Sequence, residues 1–261
     1  MGRLTELVDG VFVATSSVDA MTTTVVAGDG GQCLVVDPGV TPAELSELAA
    51  DLRSLNLRPV VGWSTHAHWD HLLWTKALGA VPRYATAKAA NLALTTRGKI
   101  AVEANKKLPG LELNLLGAVK PLPGGTTIPW DGPETTVVEH DAHAPGQGAL
   151  LVNGVLIAGD ACSEIEIPTL DLDAKDALGD YRKFLSKVWD MQGVTHVVPG
   201  HGTPTDLGGL LNRIMRDRVY LDYIEFKLPV EDKRLVDAPA WMAEHHKQQV
   251  WKLHPIPGTK A

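Results

Sequence analysis

Within six residues, His66-Ala67-His68-Trp69-Asp70-His71, the chain places three imidazoles and a carboxylate. Histidine is the commonest transition-metal ligand, and a carboxylate adds an anionic oxygen donor. Crowding such groups together is costly unless something binds them, so the cluster points to a metal site and to metal-activated water. In an extended segment His66 and His68 face the same way. Asp70 and His71 then fall past the strand end, toward a second point, so one segment could serve two metals.

The elements that must carry this cluster can be read around it. Val11 to Thr15, Thr22 to Ala27 and Gln32 to Val36 are β-branched or apolar runs that read as strands, with Asp29-Gly30-Gly31 as a turn. Thr41-Pro42-Ala43-Glu44 predicts a helix start: Thr41 as N-cap, Pro42 in the first turn and Glu44 closing a capping box. Leu45, Leu48, Leu52 and Leu55 continue it as one apolar stripe. Val60 to Ser64 is the strand that delivers the histidines. A second round follows. Thr135 to Glu139 reads as a strand ending at His140 to His143. Ala149 to Val152 and Val155 to Ala158 flank Asn153-Gly154, a hairpin signal, and Asp160 stands where the second of these ends. Lys175 to Trp189 reads as a helix and Val194 to Val198 as a short strand running into Pro199-Gly200-His201-Gly202. Later helices are expected from Leu207, Leu210, Leu211 and Ile214, and over Pro239 to Leu253, with residues 256–261 frayed. Two rounds with His or Asp at strand ends imply two packed sheets covered by helices, with the chemistry at one shared edge.

Thr65-His66-Ala67-His68-Trp69-Asp70-His71 resembles the HxHxDH signature of the metallo-β-lactamase-fold hydrolases. The resemblance spans roughly residues 8–204 through four further motifs: Asp37-Pro38-Gly39, His143 ahead of Pro145-Gly146-Gln147-Gly148, Gly159-Asp160, and Pro199-Gly200-His201-Gly202. It implies an α/β, four-layer αββα sandwich. Residues 1–205 would form the catalytic domain, and 206–261 a helical extension packed on it. It also implies a ligand set: His66, His68 and His143 for one metal, Asp70, His71 and His201 for the second, and Asp160 bridging them. His140 competes with His143, which fits the spacing better. Two zinc ions per chain suit this nitrogen-rich set, although the donors do not exclude Fe or Mn.

The resemblance implies a branch as well. The β-lactamases of this fold have Cys or Ser where this chain has Asp160, so Asp160 resembles the glyoxalase-II, lactonase and phosphodiesterase branches. The expected activity is hydrolysis of a small acyl ester, thioester or lactone by a metal-bridging hydroxide, with Asp70 also passing on a proton. A mononuclear iron persulfide dioxygenase and a non-hydrolytic polyketide cyclase of the same fold are the alternatives. Two departures stand out: Asp141-Ala142-His143-Ala144 replaces the usual Pro-Gly-His-Thr, and the bulky Leu72-Leu73-Trp74 follows His71 and is expected to reshape one wall of the site; for Trp69 and Trp74 a wall of the site and ordinary packing are equal readings.

The remaining candidates read as structural. His196 is expected to pack in the core, and His245, His246 and His254 to be solvated. Cys162 reads as a small buried hydrophobe, and the acidic residues of the Ser163–Asp171 loop as solvated. Lys88, Lys99, Lys106 and Lys107 sit in the connection between the halves, where related enzymes place substrate contacts. The chain has 261 residues, 44% of them hydrophobic, enough for a full core. A formal net charge of −7 argues against a nucleic-acid partner. With no run of 18 apolar residues, no signal-like start, a failed myristoylation pattern at Gly2 and only Cys33 and Cys162, the expectation is a cytoplasmic protein with a small-molecule substrate and no membrane partner.

Overall fold

A computed structural model of the chain describes residues 4–255, so the expectations for Gly2 and for residues 256–261 lie outside the described residues. The chain opens with four antiparallel strands, β1 (Thr5–Val8), β2 (Val11–Thr15), β3 (Thr22–Ala27) and β4 (Gln32–Val36). Helix α1 (Pro42–Ser54) crosses over to β5 (Arg58–Trp63), which runs parallel to β4. Strand β6 (Arg83–Thr86), helices α2 (Ala87–Thr95) and α3 (Arg97–Lys107), and strand β7 (Lys120–Leu122) complete the first sheet, whose order is sequential from β1 to β7. The second sheet holds β8 (Thr136–His140), β9 (Gln147–Val152), β10 (Val155–Gly159), β11 (His196–Pro199) and β12 (Thr205–Asp206). Helix α4 (Ala177–Trp189) connects β10 to the parallel β11, and α5 (Leu207–Glu225) and α6 (Ala240–Leu253) follow.

Side-chain alternation separates the layers. Val11, Val13, Leu34, Val36, Val61 and Trp63 of the first sheet meet Val137, Leu150, Val152, Val155, Ile157 and Val198 of the second in one buried cluster. The intervening residues face outward. Val25, Cys33 and Val35 pack under α1 through Leu48 and Leu52. Val138, Ala149, Leu156, Ala158 and Val197 pack under α4, α5 and α6. The result is the helix–sheet–sheet–helix order of an αββα sandwich. Trp63 Nε1 donates to Gly148 O across the two sheets at 2.8 Å. A Cβ at Gly148 would stand 2.5 Å from the Trp63 ring, so glycine lets the ring through.

The sheets are also stitched at the edge where the site lies. Thr22 N–H donates to Gly200 O at 2.7 Å, and Met21 bridges to His201. The loop leading there is held by Glu44. The predicted capping box forms: Thr41 Oγ1 accepts from Glu44 N, and Glu44 Oε2 accepts from Thr41 N. Glu44 does more, accepting from Val40 N, Ser17 N and the Ser16 hydroxyl. It thereby ties the end of β2 to the loop after β4.

Several expectations are corrected. The first helix ends at Ser54, and Leu55 is its exposed C-cap rather than a fourth member of the stripe. His196 begins β11 and is half-buried, with Nδ1 3.0 Å from Thr195 Oγ1. Strands β1, β6 and β7 were not foreseen. Among the described residues no helix is long and apolar enough to cross a membrane.

Burial raises the Glu44 carboxyl, but its N–H and hydroxyl donors outweigh that and hold it at about 2. The folded value lies below the unfolded one. Its contribution is therefore full above pH 4.5 and is lost as the pH falls toward about 2. Glu44→Gln should lower stability by about 2 kcal/mol at pH 7. The gap between the thermal midpoints of the two proteins should narrow on acidification below pH 4.5. A gap independent of pH would refute the assignment.

Candidate metal centre

Every residue of the centre leaves the end of a strand. Strand β4 ends at Asp37, β5 delivers His66, His68, Asp70 and His71, β8 leads to His143, β10 to Asp160, and β11 to His201. The structure brings all seven predicted site residues into two adjoining groups. His66, His68, His143 and Asp160 offer atoms within 4.8 Å of one another, and so do Asp70, His71 and His201. Asp160 lies between the groups. Its Oδ2 is 3.6 Å from His66 Nε2, 3.4 Å from His143 Nε2 and 3.5 Å from His201 Nε2, and its Oδ1 is 3.2 Å from His71 Nε2. Asp70 Oδ2 is 3.4 Å from His201 Nε2. Gly200 lies directly beneath, and a Cβ there would collide with Asp160 Oδ1.

The imidazoles are oriented from behind. A carbonyl only accepts, so the contacts of His143 Nδ1 with Thr169 O and of His201 Nδ1 with Asp19 O, both 2.8 Å, place the proton on Nδ1. His71 Nδ1 donates to Asp37 Oδ2 at 2.8 Å. The Thr65 hydroxyl also donates to Asp37, at 2.6 Å, which leaves its oxygen to accept from His66 Nδ1 at 3.0 Å. Four rings therefore direct Nε2 at the centre. His68 alone presents Nδ1, 2.9 Å from His66 Nε2 and 3.0 Å from His143 Nε2. These three nitrogens share at most one proton, the one on His68.

The donor set fits a cation. Asp160 Oδ1 is a buried anionic oxygen with no hydrogen-bond partner, 3.2 Å from His71 Nε2. Burial lowers the pKa of His66, and likewise brings His143 down to about 4, so both are neutral at pH 7. His71 and His201 behave oppositely. Against burial, which lowers them, the Asp160 carboxylate, aided by Asp70, raises His71 and lifts His201 to about 10. Burial raises Asp70, yet the His71 and His201 charges hold it at about 2. At neutral pH His66 and His143 of the first group are thus neutral rings with Nε2 unprotonated, whereas His71 and His201 of the second group each carry an extra proton.

Other candidates fall elsewhere. His140 is half-buried and stacked on Phe184 with ring centroids 3.7 Å apart, and is not among the residues grouped at the centre. Leu72 and Leu73 point into a core cluster with Met21, Trp69 and Leu116. Trp74 lies in the α1 layer, under the first sheet, with Nε1 donating to Gly79 O. The expected wall built by Trp74 is therefore ordinary packing. Lys99, Lys106 and Lys107 are exposed on α3, while Lys88 pairs with Asp141 at 2.6 Å. Asp141 also accepts from Gly146 N at 2.7 Å, so the altered residue before His143 closes its own turn. Cys162 is fully buried, as expected.

The loop after Asp160 is not simply solvated. Glu164 pairs with Arg213 at 2.9 Å, and Glu166 is buried 3.9 Å from His201 Nδ1, its carboxyl pushed by burial up to about 7. His245, His246 and His254 are half-buried. His246 meets Tyr220 Oη at 2.9 Å and His254 donates to Ile224 O at 2.8 Å. Asp19 and Thr169 were missed because they act through main-chain carbonyls, which leave no side-chain signature.

Filling the second group must displace the protons of His71 and His201, so uptake there should release protons and weaken as the pH falls. Uptake by the first group should depend less on pH. Zinc titrations from pH 6 to 8, by calorimetry in buffers of different ionisation enthalpy, would measure this. Equal pH dependence of both binding steps would contradict it.

The family model of the metallo-beta-lactamase superfamily matches residues 18–218. No curated protein matches the chain. Among solved structures, a metallo-beta-lactamase family protein from Thermus thermophilus is similar, at 20% identity and a TM-score of 0.68 over 95% of this chain and 91% of that one. A beta-lactamase domain protein from Burkholderia ambifaria is similar at 21% identity and a TM-score of 0.63, covering 85% of this chain and 76% of that one. A metallo-beta-lactamase from Pontibacter korlensis shares 17% identity with a TM-score of 0.58, over 82% of this chain and 97% of that one. At these identities the structures speak for the fold alone, and with the family match over most of its length the chain belongs to the metallo-beta-lactamase superfamily.

Proposed function

We propose that the protein is a hydrolase with two divalent metal ions, zinc by preference, that cleaves a small acyl ester, thioester or lactone. The observation that supports this most is the position of Asp160, a carboxylate with nitrogen donors of both groups within 3.6 Å of its oxygens. His66, His68 and His143 would hold one ion, Asp70, His71 and His201 the other, and Asp160 both. Bound there, such ions lower the pKa of water and polarise an acyl oxygen.

The chain's own residues do the rest. Asp37, Thr65, Thr169 and the Asp19 carbonyl fix the rings in the tautomer that offers Nε2 inward. Asp70 remains ionised and is the least enclosed carboxylate of the centre, with 14% of its side chain exposed against 8% for Asp160. It is therefore the group placed to take a proton from attacking water and pass it to the leaving group. The presence of an aspartate at position 160 favours the glyoxalase-II and lactonase-like branch. The intact trio of Asp70, His71 and His201 favours two ions over the single iron of a persulfide dioxygenase.

Elemental analysis of the purified protein should find two zinc ions per chain, and His71→Ala should lose about half of them. One metal or none in the wild type would end the dinuclear reading. Tested on thioesters, lactones and phosphodiesters, the zinc-loaded protein should turn over an acyl substrate. Asp70→Asn should lower kcat by about 100-fold or more. Metal-loaded protein without turnover on any of these would count against a hydrolase.

A further inference from the structure

One peptide group connects the centre to the C-terminal helix. The Thr169 carbonyl accepts from His143 Nδ1 at 2.8 Å, with Thr169 Oγ1 also 2.6 Å from that nitrogen. The N–H of the same peptide, that of Leu170, donates to Gln249 Oε1 at 2.6 Å. Gln249 Nε2 donates to Tyr220 Oη at 2.6 Å, and Tyr220 Oη lies 2.9 Å from His246 Nδ1. The three links from His143 to Tyr220 point the same way: imidazole N–H to peptide, peptide N–H to amide, amide N–H to phenol. Aligned dipoles of this kind strengthen one another, more so where water is excluded. Gln249 is wholly buried, and Thr169, Leu170 and Tyr220 are each at most 6% exposed.

A buried glutamine on a surface helix is costly unless each polar atom is satisfied. Here both ends of the amide are used, one on the loop that holds His143 and the other on α5. Gln249 fixes the plane of the Thr169–Leu170 peptide, and that plane sets the direction of the carbonyl that His143 faces.

We propose that Gln249 is a positioning residue of the metal centre, acting on His143 through the Thr169–Leu170 peptide, so that α6 governs the affinity of the His66, His68 and His143 group. This rests on the metal-binding reading above. It extends that reading to a helix outside the 18–218 segment that the family model matches.

The test compares Gln249→Leu with Met242→Ala, which removes a buried side chain from the same helix without touching the chain of hydrogen bonds. Zinc affinity at each step is measured by competition with a chromophoric chelator. The ring ¹⁵N shifts of His143 are read in the metal-free proteins. Gln249→Leu should weaken uptake by the His143 group about 10–100-fold while sparing the Asp70, His71 and His201 group. It should also reduce the population of His143 protonated on Nδ1. Gln249→Glu, which keeps an acceptor for Leu170 N–H, should restore most of the affinity. Met242→Ala should lower the thermal midpoint and leave zinc affinity unchanged.

Equal weakening of both groups, or the same loss in Met242→Ala, would overturn the proposal. So would an unaltered His143 in Gln249→Leu. Should Gln249→Leu not fold, Tyr220→Phe decides, with a smaller loss confined to the same group expected and no loss overturning. A wild type that takes up no zinc would instead reject the metal-binding reading, and the His143 shifts would still decide the role of Gln249.

Discussion

The Asp160 carboxylate, buried among the Nε2 atoms of four imidazoles, is the constraint around which the molecule is arranged. A charge so enclosed requires compensation, and the compensation comes from both sheets. His66 and His71 arrive from the first sheet, and His143 and His201 from the second. The faces between the sheets must therefore meet in one register. The Trp63 to Gly148 hydrogen bond and the Thr22 to Gly200 pairing hold that register within a few residues of the centre. Glycine beneath Asp160 then lets the carboxylate sit on bare backbone.

Positioning is carried largely by oxygen atoms behind the rings. Asp37 serves Thr65 and His71 together, so one carboxylate orders two strand-end residues. Carbonyls of Asp19 and Thr169 do the same for His201 and His143 from loops far apart in sequence. Those loops are anchored in turn, the first through Ser16 and Ser17 on Glu44 and the second through Leu170 on Gln249. A disturbance remote from the centre therefore has a defined route to it.

Much of this was legible in the sequence because it rests on local patterns. The capping box at Thr41, the Asn153-Gly154 hairpin and the His or Asp at successive strand ends are short-range signals, and each appears where it was expected. What escaped is long-range. Strands β6 and β7 are short, and β7, Lys120-Pro121-Leu122, lacks apolar alternation; they are strands because β5 offers an edge to pair with. His246 and His254 look like polar tail residues until α6 packs on α5 and finds Tyr220 and Ile224 for them. Trp74 is three residues from His71 in the chain but a layer away in space, because the backbone turns after His71. Sequence neighbours of a site need not be its walls.

The bridge between Met21 and His201 has a consequence for how the molecule is made. It joins the beginning of the chain to a point more than two thirds along it. During synthesis the His66 to His71 cluster leaves the ribosome long before Asp160 and His201 exist. A growing chain thus displays three imidazoles and one carboxylate without the Asp160 carboxylate that they later face. The pairing of β3 with the Pro199-Gly200-His201 turn is among the longest loop closures of the fold, and such closures come late. Assembly of the centre is in this sense a report that translation of the sandwich is finished.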